Sequence, residues 1–294
     1  MKNRILYAIL RHLKSRPAFD RTGIEKHRAL LEKGAMAFGT DKSVMFESFD
    51  IKGIQAARIT PPDTSSAKTI LYLHGGGFMA GSIHSHRDLA ARIAKAACAK
   101  LVLIDYRLAP EHPYPAGLDD AFTACRHLLD QGTPAEKLCI AGDSAGGGLV
   151  LSLMVRMRME DLPMPGCAVF LSPWVDLECT GRSMKKNQTN DPMLSKELLL
   201  KTAGVYTDQD PSNPLISPLN ADFTGFPPML VHAGENEVLL DDAVRLAEKA
   251  RHYGIKAEIE VYSEMFHVFQ YFARYLDKAD ESIRKIGTFI RNNP

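Results

Sequence analysis

Ser144 stands between two glycines in Gly142-Asp143-Ser144-Ala145-Gly146, with an apolar run on either side. The run Leu138-Cys139-Ile140-Ala141 reads as a buried strand and the residues from Ala145 onward as an apolar helix. That is the strand-turn-helix setting of a G-x-S-x-G nucleophile elbow. A serine at such a turn sits on strained backbone that exposes its hydroxyl above the sheet, and side chains at Gly142 and Gly146 would crowd the neighbouring strand and helix. The helix also directs its free N–H groups at the reaction centre. The plainer alternative is a glycine-rich turn in which Ser144 only caps the helix. The strand before it and the helix after it favour the nucleophile.

A second glycine cluster closes another strand, in Leu73-His74-Gly75-Gly76-Gly77-Phe78. With no Cβ in the way, backbone N–H groups of Gly75, Gly76 and Gly77 can approach a developing oxyanion, and loss of one such donor costs ~10²–10³ in rate. Gly76 and Gly77, joined by the N–H of Ala145, are the first-choice donors, with Gly75 kept in the expected oxyanion set. The same glycines also fit G-x-G-x-x-A through Ala80, with Asp105 at the end of the next strand, as in a dinucleotide site. Against that reading, the next helix is expected only from about His86, too late to cap a pyrophosphate. Asp105 also follows later than such a site requires.

A serine hydroxyl is a weak nucleophile until a base takes its proton. His267, in the loop after the last strand candidate, lies where the carboxyl edge of a parallel sheet returns to Ser144. The other histidines have plainer readings: His84 and His86 in the loop after the glycines, His112 between prolines and a glutamate, His232 within a strand. None forms a metal-ligand set with acids. The acid that orients the imidazole belongs just past residues 229–233, where Glu235, Glu237, Asp241 and Asp242 are available. Asp241 and Asp242 open an amphipathic helix, where aspartates commonly serve the helix dipole. Glu237 lies in the loop, followed by Val238 and Leu239, which can pin it against the core. Glu237 is the first choice and Asp241 the second.

The elements that must position these residues alternate along the chain. Strand candidates at residues 69–74, 100–106, 138–142, 167–172, 229–233 and 257–262 are separated by helix candidates at 87–99, 117–129, 145–157 and 241–253, with a last helix at 282–291. Such alternation predicts an α/β fold with a mostly parallel sheet covered on both faces. Residues 45–59 alternate around Gly53 as an antiparallel edge hairpin. Before it, residues 1–40 show one or two short helical patterns. Residues 179–217 show helical clusters and no strand, the mark of an inserted flap.

Composition sets the class. The 294 residues carry 45% apolar and 24% charged side chains, ordinary values for a globular chain long enough for one large domain. The 36 basic and 35 acidic residues are well mixed, so no stripe of one sign is available for nucleic acid or acidic lipid. The five cysteines are an odd number without a CxxC, mostly inside apolar runs, and read as reduced and buried. Arg11 and His12 cut the apolar run at residues 5–10, no cleavage site follows, and no stretch reaches the ~18 apolar residues of a membrane span. The expected compartment is the cytoplasm.

Together, the H-G-G-G loop at His74 to Gly77 and the Gly-Asp-Ser-Ala-Gly-Gly elbow resemble the hormone-sensitive-lipase-like branch of the α/β-hydrolases, a group of bacterial esterases. The segments from Asp105 through Pro110 to Ala116, and Leu171-Ser172-Pro173-Trp174-Val175-Asp176-Leu177, also look like family segments. The likeness therefore spans about residues 69–269. In the family the acid is usually the first Asp of a D-P-L-x-D run. Here the register gives Glu237-Val238-Leu239-Leu240-Asp241, with Glu for Asp and Val for Pro, and Ser-His-Glu triads are recognised. The resemblance thus favours Glu237.

The resemblance implies an α/β-hydrolase fold with a helical cap. Residues 41–178 and 218–294 would form the catalytic domain, with 1–40 and 179–217 as cap segments lining the acyl or alcohol pocket. It implies a carboxylesterase acting on small esters of short to medium acyl chain through an acyl-enzyme on Ser144, with neither cofactor nor metal. An exposed last strand could pair two subunits into a homodimer, as in some relatives, with the oligomeric state left open by the sequence. The rival is a non-catalytic small-ligand receptor on the same scaffold. Such a protein would usually have lost part of its triad, whereas this sequence keeps Ser144, an acid and His267.

Overall fold

In the computed structural model, residues 7, 10, 11, 19, 21–39 and 41–293 are described, the side chains of 36–38 excepted. After helix α1 (Arg21–Phe38), strands β1 (Met45–Ile51) and β2 (Ile54–Thr60) form an antiparallel hairpin. Lys52 and Gly53 between them both have positive φ, as the tightest hairpin turns demand. There follow β3 (Thr69–Leu73), α2 (Ile83–Ala97), β4 (Lys100–Ile104), α3 (Ala116–Asp130), β5 (Leu138–Asp143), α4 (Ala145–Met159) and β6 (Cys167–Leu171). The chain continues through α5 (Ser183–Lys186), α6 (Lys196–Tyr206), β7 (Met229–Gly234), α7 (Leu240–His252), β8 (Ala257–Tyr262) and α8 (Asp277–Asn292).

The strands make one sheet in the order β1-β2-β4-β3-β5-β6-β7-β8. It is antiparallel only at β1-β2 and β2-β4 and parallel everywhere else. Strands β5, β6 and β7 are buried at every residue, which explains their unbroken apolar runs. Successive side chains serve opposite cores: Ile70 and Tyr72 face α2 and α8, while Leu71 and Leu73 face α3, α4 and α7. At Gly287 of α8 a Cβ would fall on the Ala96 carbonyl, so the two helices of that layer meet through a missing side chain.

Two helices begin earlier than the apolar period predicts. In α2 the start at Ile83 is set by Ser82, whose hydroxyl accepts from Ser85 N while the Ser85 hydroxyl accepts from Ser82 N, a reciprocal cap. His84 and His86 are therefore helical and not in a loop. In α8 the first turn carries Asp277 and Asp280, which suit the helix dipole but add nothing to an apolar pattern. The five cysteines are free, and Cys98, in a left-handed cap position, is half-buried while the others are buried.

Residues 179–217 hold α5 and α6 and no strand. They are tied to the edge of the sheet where β7 ends: the Ser183 hydroxyl donates to Val238 O (2.6 Å) and Ser183 N to Asp241 Oδ2 (3.1 Å). Helix α1 is tied down by Arg28, whose guanidinium donates to Met79 O, to Ala109 O and to both oxygens of Glu111. The helical pattern at residues 5–13 falls mostly outside the described residues.

Candidate active site

Strand β5 delivers Ser144 and helix α4 leaves from it at once. Ser144 has φ 53° and ψ −123°, far from any relaxed L-residue conformation. The turn is this tight because three backbones meet. A Cβ on Gly146 would fall on the carbonyls of Leu73 and His74, and one on Gly142 on those of Gly146 and Leu73. The glycine loop after β3 is thereby pressed against the start of α4. Ser144 N donates to Leu171 O (2.9 Å), and Ser144 O accepts from Trp174 N (3.0 Å) and Gly148 N (3.2 Å).

The structure brings Ser144, His267 and Glu237 together. His267 Nε2 lies 2.8 Å from Ser144 Oγ, and its Nδ1 lies 3.0 Å from Glu237 Oε2. A carboxylate only accepts, so Nδ1 carries the proton and Nε2 is left to accept from the serine hydroxyl. The imidazole is 5% exposed and Glu237 0%, so both hydrogen bonds act away from water. Burial pushes the His267 pKa down, but the Glu237 hydrogen bond and charge, with Asp191 and Asp143 beyond, outweigh it and raise it above the ordinary value.

The other three acids near β7 serve different partners. Asp241 Oδ2 accepts from Ser183 N, Asp242 Oδ2 from Val175 N and Asp176 N, and Glu235 Oε2 from Glu264 N. Glu237 is fixed at its other oxygen too: Oε1 accepts from the Ser172 hydroxyl (2.7 Å) and from Gly234 N. Val238 and Leu239 behind it are fully buried. Asn187 donates to the Glu235 and Glu237 carbonyls, and Val238 N donates to Asp191, so the 179–217 segment braces this loop.

The three glycines are not equivalent. The N–H of Gly75 is already given to Asp143 Oδ1 (3.1 Å) and His86 Nε2 (3.1 Å), so it is not available to a substrate. This corrects its expected place among the oxyanion donors. For Gly76, Gly77 and Ala145, no acceptor among the described residues takes the N–H. Gly76 and Gly77 have φ of 119° and 63°, and a Cβ on Gly77 would stand 2.8 Å from the Thr202 methyl of α6. Helix α6 thus lies directly over the glycine loop.

Under that loop is a buried polar cluster the sequence reading did not single out. Asp143 Oδ1 accepts from Tyr72 OH (2.9 Å) as well as from Gly75 N, and His86 Nε2 lies 3.4 Å away. Burial opposes charge on Asp143, but His86 and Tyr72 outweigh it and depress its pKa. An ionisable residue inside an otherwise apolar strand run was the available signal. Asp105, the acid of the dinucleotide alternative, accepts from Ile83 N and so fills the anion-seeking end of α2 itself. Burial lowers His74 to about 3 and His232 to about 4, which keeps both neutral, while His84 and His112 are exposed. Among the described residues no group of His, Cys, Asp and Glu could hold a metal ion, and no helix is long and apolar enough to cross a membrane.

A sheet of this topology with a strained serine at its carboxyl edge defines a class. Residues 70–271 match the protein family described as having the alpha/beta hydrolase fold, and the chain belongs to that family. An acetyl-hydrolase of Streptomyces hygroscopicus is 37% identical over 269 residues, covering 91% of this chain and 90% of its own length. An esterase of Acinetobacter venetianus is 34% identical over 264 residues, covering 89% and 87%. A crystal structure of an esterase from the bacterial hormone-sensitive lipase family superposes with a TM-score of 0.93 at 39% identity, covering 98% of this chain and 97% of that one. The esterase EstE5, in crystals soaked with p-nitrophenyl butyrate, gives 0.92 at 40% identity, covering 98% and 97%. Within the family this chain is accordingly a carboxylic ester hydrolase of the hormone-sensitive-lipase-like branch.

Proposed function

We propose that the chain hydrolyses esters of short to medium acyl chain through an acyl-enzyme on Ser144. His267 Nε2 takes the hydroxyl proton as Ser144 Oγ attacks the ester carbonyl carbon. The carbonyl oxygen becomes an oxyanion and accepts from the N–H groups of Gly76, Gly77 and Ala145. His267 then passes its proton to the alkoxide oxygen, the carbon–oxygen bond breaks, and the alcohol leaves. Water repeats the sequence on the acyl-enzyme and releases the acid, returning the proton to Ser144. Glu237 holds the ring in the tautomer this requires and offsets the imidazolium charge.

One observation carries the reading: the 2.8 Å contact of Ser144 Oγ with a ring nitrogen whose opposite nitrogen is held by a buried carboxylate. Limited chain length is supported by what lies over the glycine loop. Thr202 abuts Gly77, and Phe78 stacks on Tyr206 with ring centroids 3.9 Å apart, leaving α6 close above the site. A cap of residues 1–40 and 179–217 over a catalytic part formed by 41–178 and 218–294 belongs to this reading, with residues 1–40 lying only partly within the described residues. No observation favours a non-catalytic receptor. The test is hydrolysis of p-nitrophenyl butyrate and palmitate by the native protein and by Ser144→Ala. The native protein is expected to prefer butyrate by about tenfold or more, and the variant to lose at least about 10³-fold on butyrate. Hydrolysis by Ser144→Ala at the native rate sinks the mechanism, and equal rates on the two esters sink the chain-length limit.

A further inference from the structure

Strand β6 contributes none of the three residues of the proposed triad, yet its end touches the loops of all three. Leu171 O accepts from Ser144 N (2.9 Å). The hydroxyl of the next residue, Ser172, donates to Glu237 Oε1 (2.7 Å) and accepts from Val268 N (3.0 Å), the amide directly after His267. Ser172 is wholly buried, and its φ of 47° lies in the left-handed region that few residues other than glycine adopt readily. Its own N–H reaches across to His232 O (2.7 Å) on β7, which fixes that backbone in place. A strained, buried, non-glycine residue persists only where its surroundings over-determine it, and such residues cluster at working sites. Here the unusual backbone turns one hydroxyl into the gap between the acid loop and the base loop.

We infer that Ser172 is a positioning residue for ester hydrolysis, bridging Glu237 and the His267 loop so that carboxylate and imidazole keep the register that activates Ser144. This rests on the triad reading above. A carboxyl group hinged on its side chain needs both oxygens held to present one of them steadily to His267 Nδ1. Oε1 has two donors, Gly234 N from its own loop and Ser172 Oγ from the neighbouring strand. Only the second ties the acid to the base, because the same oxygen also holds Val268 N. Ser172 is fully buried and its hydroxyl is engaged by Glu237 and Val268 N, so its effect belongs to kcat and not to substrate capture.

The experiment is a double-mutant cycle with a stability control. Ser172→Ala, Ser172→Gly, Glu237→Gln and Ser172→Ala/Glu237→Gln are assayed on p-nitrophenyl butyrate, each normalised by titration of Ser144 with a phosphonate, and their Tm values are measured. Ser172→Ala is expected to lower kcat about 10–100-fold with KM within about threefold of native, the effect of losing a hydrogen bond to a charged group. Ser172→Gly relieves the positive φ, so its Tm should exceed that of the Ala variant while its kcat falls as far. In the Glu237→Gln background the Ala substitution should cost less than about threefold more. Equal slowing in both backgrounds, or a kcat that follows Tm across the Ala and Gly variants, makes Ser172 a packing residue and overturns the inference. If Glu237→Gln alone leaves kcat near native, the triad reading itself fails and Ser172 loses its role with it.

Discussion

At His267 two influences oppose each other, and their balance sets the working pH. Desolvation of the buried ring disfavours its charged form, while Glu237 at 3.0 Å favours it and prevails, so the pKa lies above the ordinary imidazole value. In the proposed mechanism only the neutral ring can take the Ser144 proton. Activity is therefore lost as pH falls through the raised value, and the acid limb of kcat/KM should lie above about 6.5. For folding the sign is reversed. The raised pKa contributes stability that is fully present below the unfolded value and lost as pH rises through the folded one. A pH profile of kcat/KM from 5 to 9 checks this, and a limb centred below 6 contradicts it. Ser144 and His267 were legible because a nucleophile and its base need recognisable residue types at the ends of recognisable strands. The choice of Glu237 over Asp241 leaned on family register as well, since four acids stand in one short stretch. Gly75 stayed in the candidate set behind Gly76 and Gly77, because three adjacent N–H groups look alike until Asp143 and His86 are placed beside one of them. Ser172 was visible only as one member of a family segment: its importance lies in a backbone angle and two contacts that only the folded chain creates.

Among the elements, those with an apolar period were readable and those held by polar clamps were not. Strands β3 to β7 declared themselves as apolar runs and β8 as a short alternating one, whereas the start of α2 depends on a serine pair and that of α8 on exposed aspartates. Helix α1 is the extreme case. Its sequence shows a helical pattern, but polar clamps fix it over the core: Arg28, which spans Met79 O (2.7 Å), Ala109 O (2.9 Å) and the Glu111 carboxylate, and Glu32, which accepts from the Ser82 hydroxyl. Met79 belongs to the turn that ends the glycine loop, since its N–H donates to Gly76 O. Helix α1 and the glycine loop therefore share one guanidinium. Its side chain is 27% exposed, so solvent weakens the ion pair with Glu111, and the two carbonyl contacts carry most of the effect. Arg28→Ala should lower unfolding free energy by about 1–2 kcal/mol, read as the urea midpoint at constant m. Arg28→Lys should recover less than half, because an ammonium cannot span the fork. An unchanged midpoint in Arg28→Ala would mean that apolar packing and the Glu32–Ser82 hydrogen bond hold α1 without Arg28.

For the molecule as a whole, the carboxyl edge of one sheet gathers five loops into a site. Next to them the chain keeps an acid whose protonation couples to the stability of the entire fold. Asp242, in the first turn of α7, is fully buried and its pKa is pushed up to about 8. Burial is the main cause and the nearby Asp176 charge the next. The N–H groups of Val175 and Asp176, with Arg245, oppose them without prevailing. Arg245 is already engaged by Asp176 at 2.8 Å, so it cannot serve both carboxyls equally. The native state thus holds a proton on Asp242 that the unfolded chain releases near pH 4. Between those values the folded form binds more protons, so stability from this group is fully present below about pH 4 and declines as pH rises towards 8, by on the order of a few kcal/mol. This decline concerns the frame that carries the acid loop, since α7 begins three residues after Glu237 and the Asp242 carboxyl grips the 175–176 backbone just beyond β6. Asn at this position keeps an oxygen for Val175 N and Asp176 N and cannot ionise. Urea midpoints at pH 6 and pH 9 should then fall less in Asp242→Asn than in the native protein, the other titrating groups acting on both alike. Equal falls would show that Asp242 is already charged at pH 6 and that Arg245 compensates it.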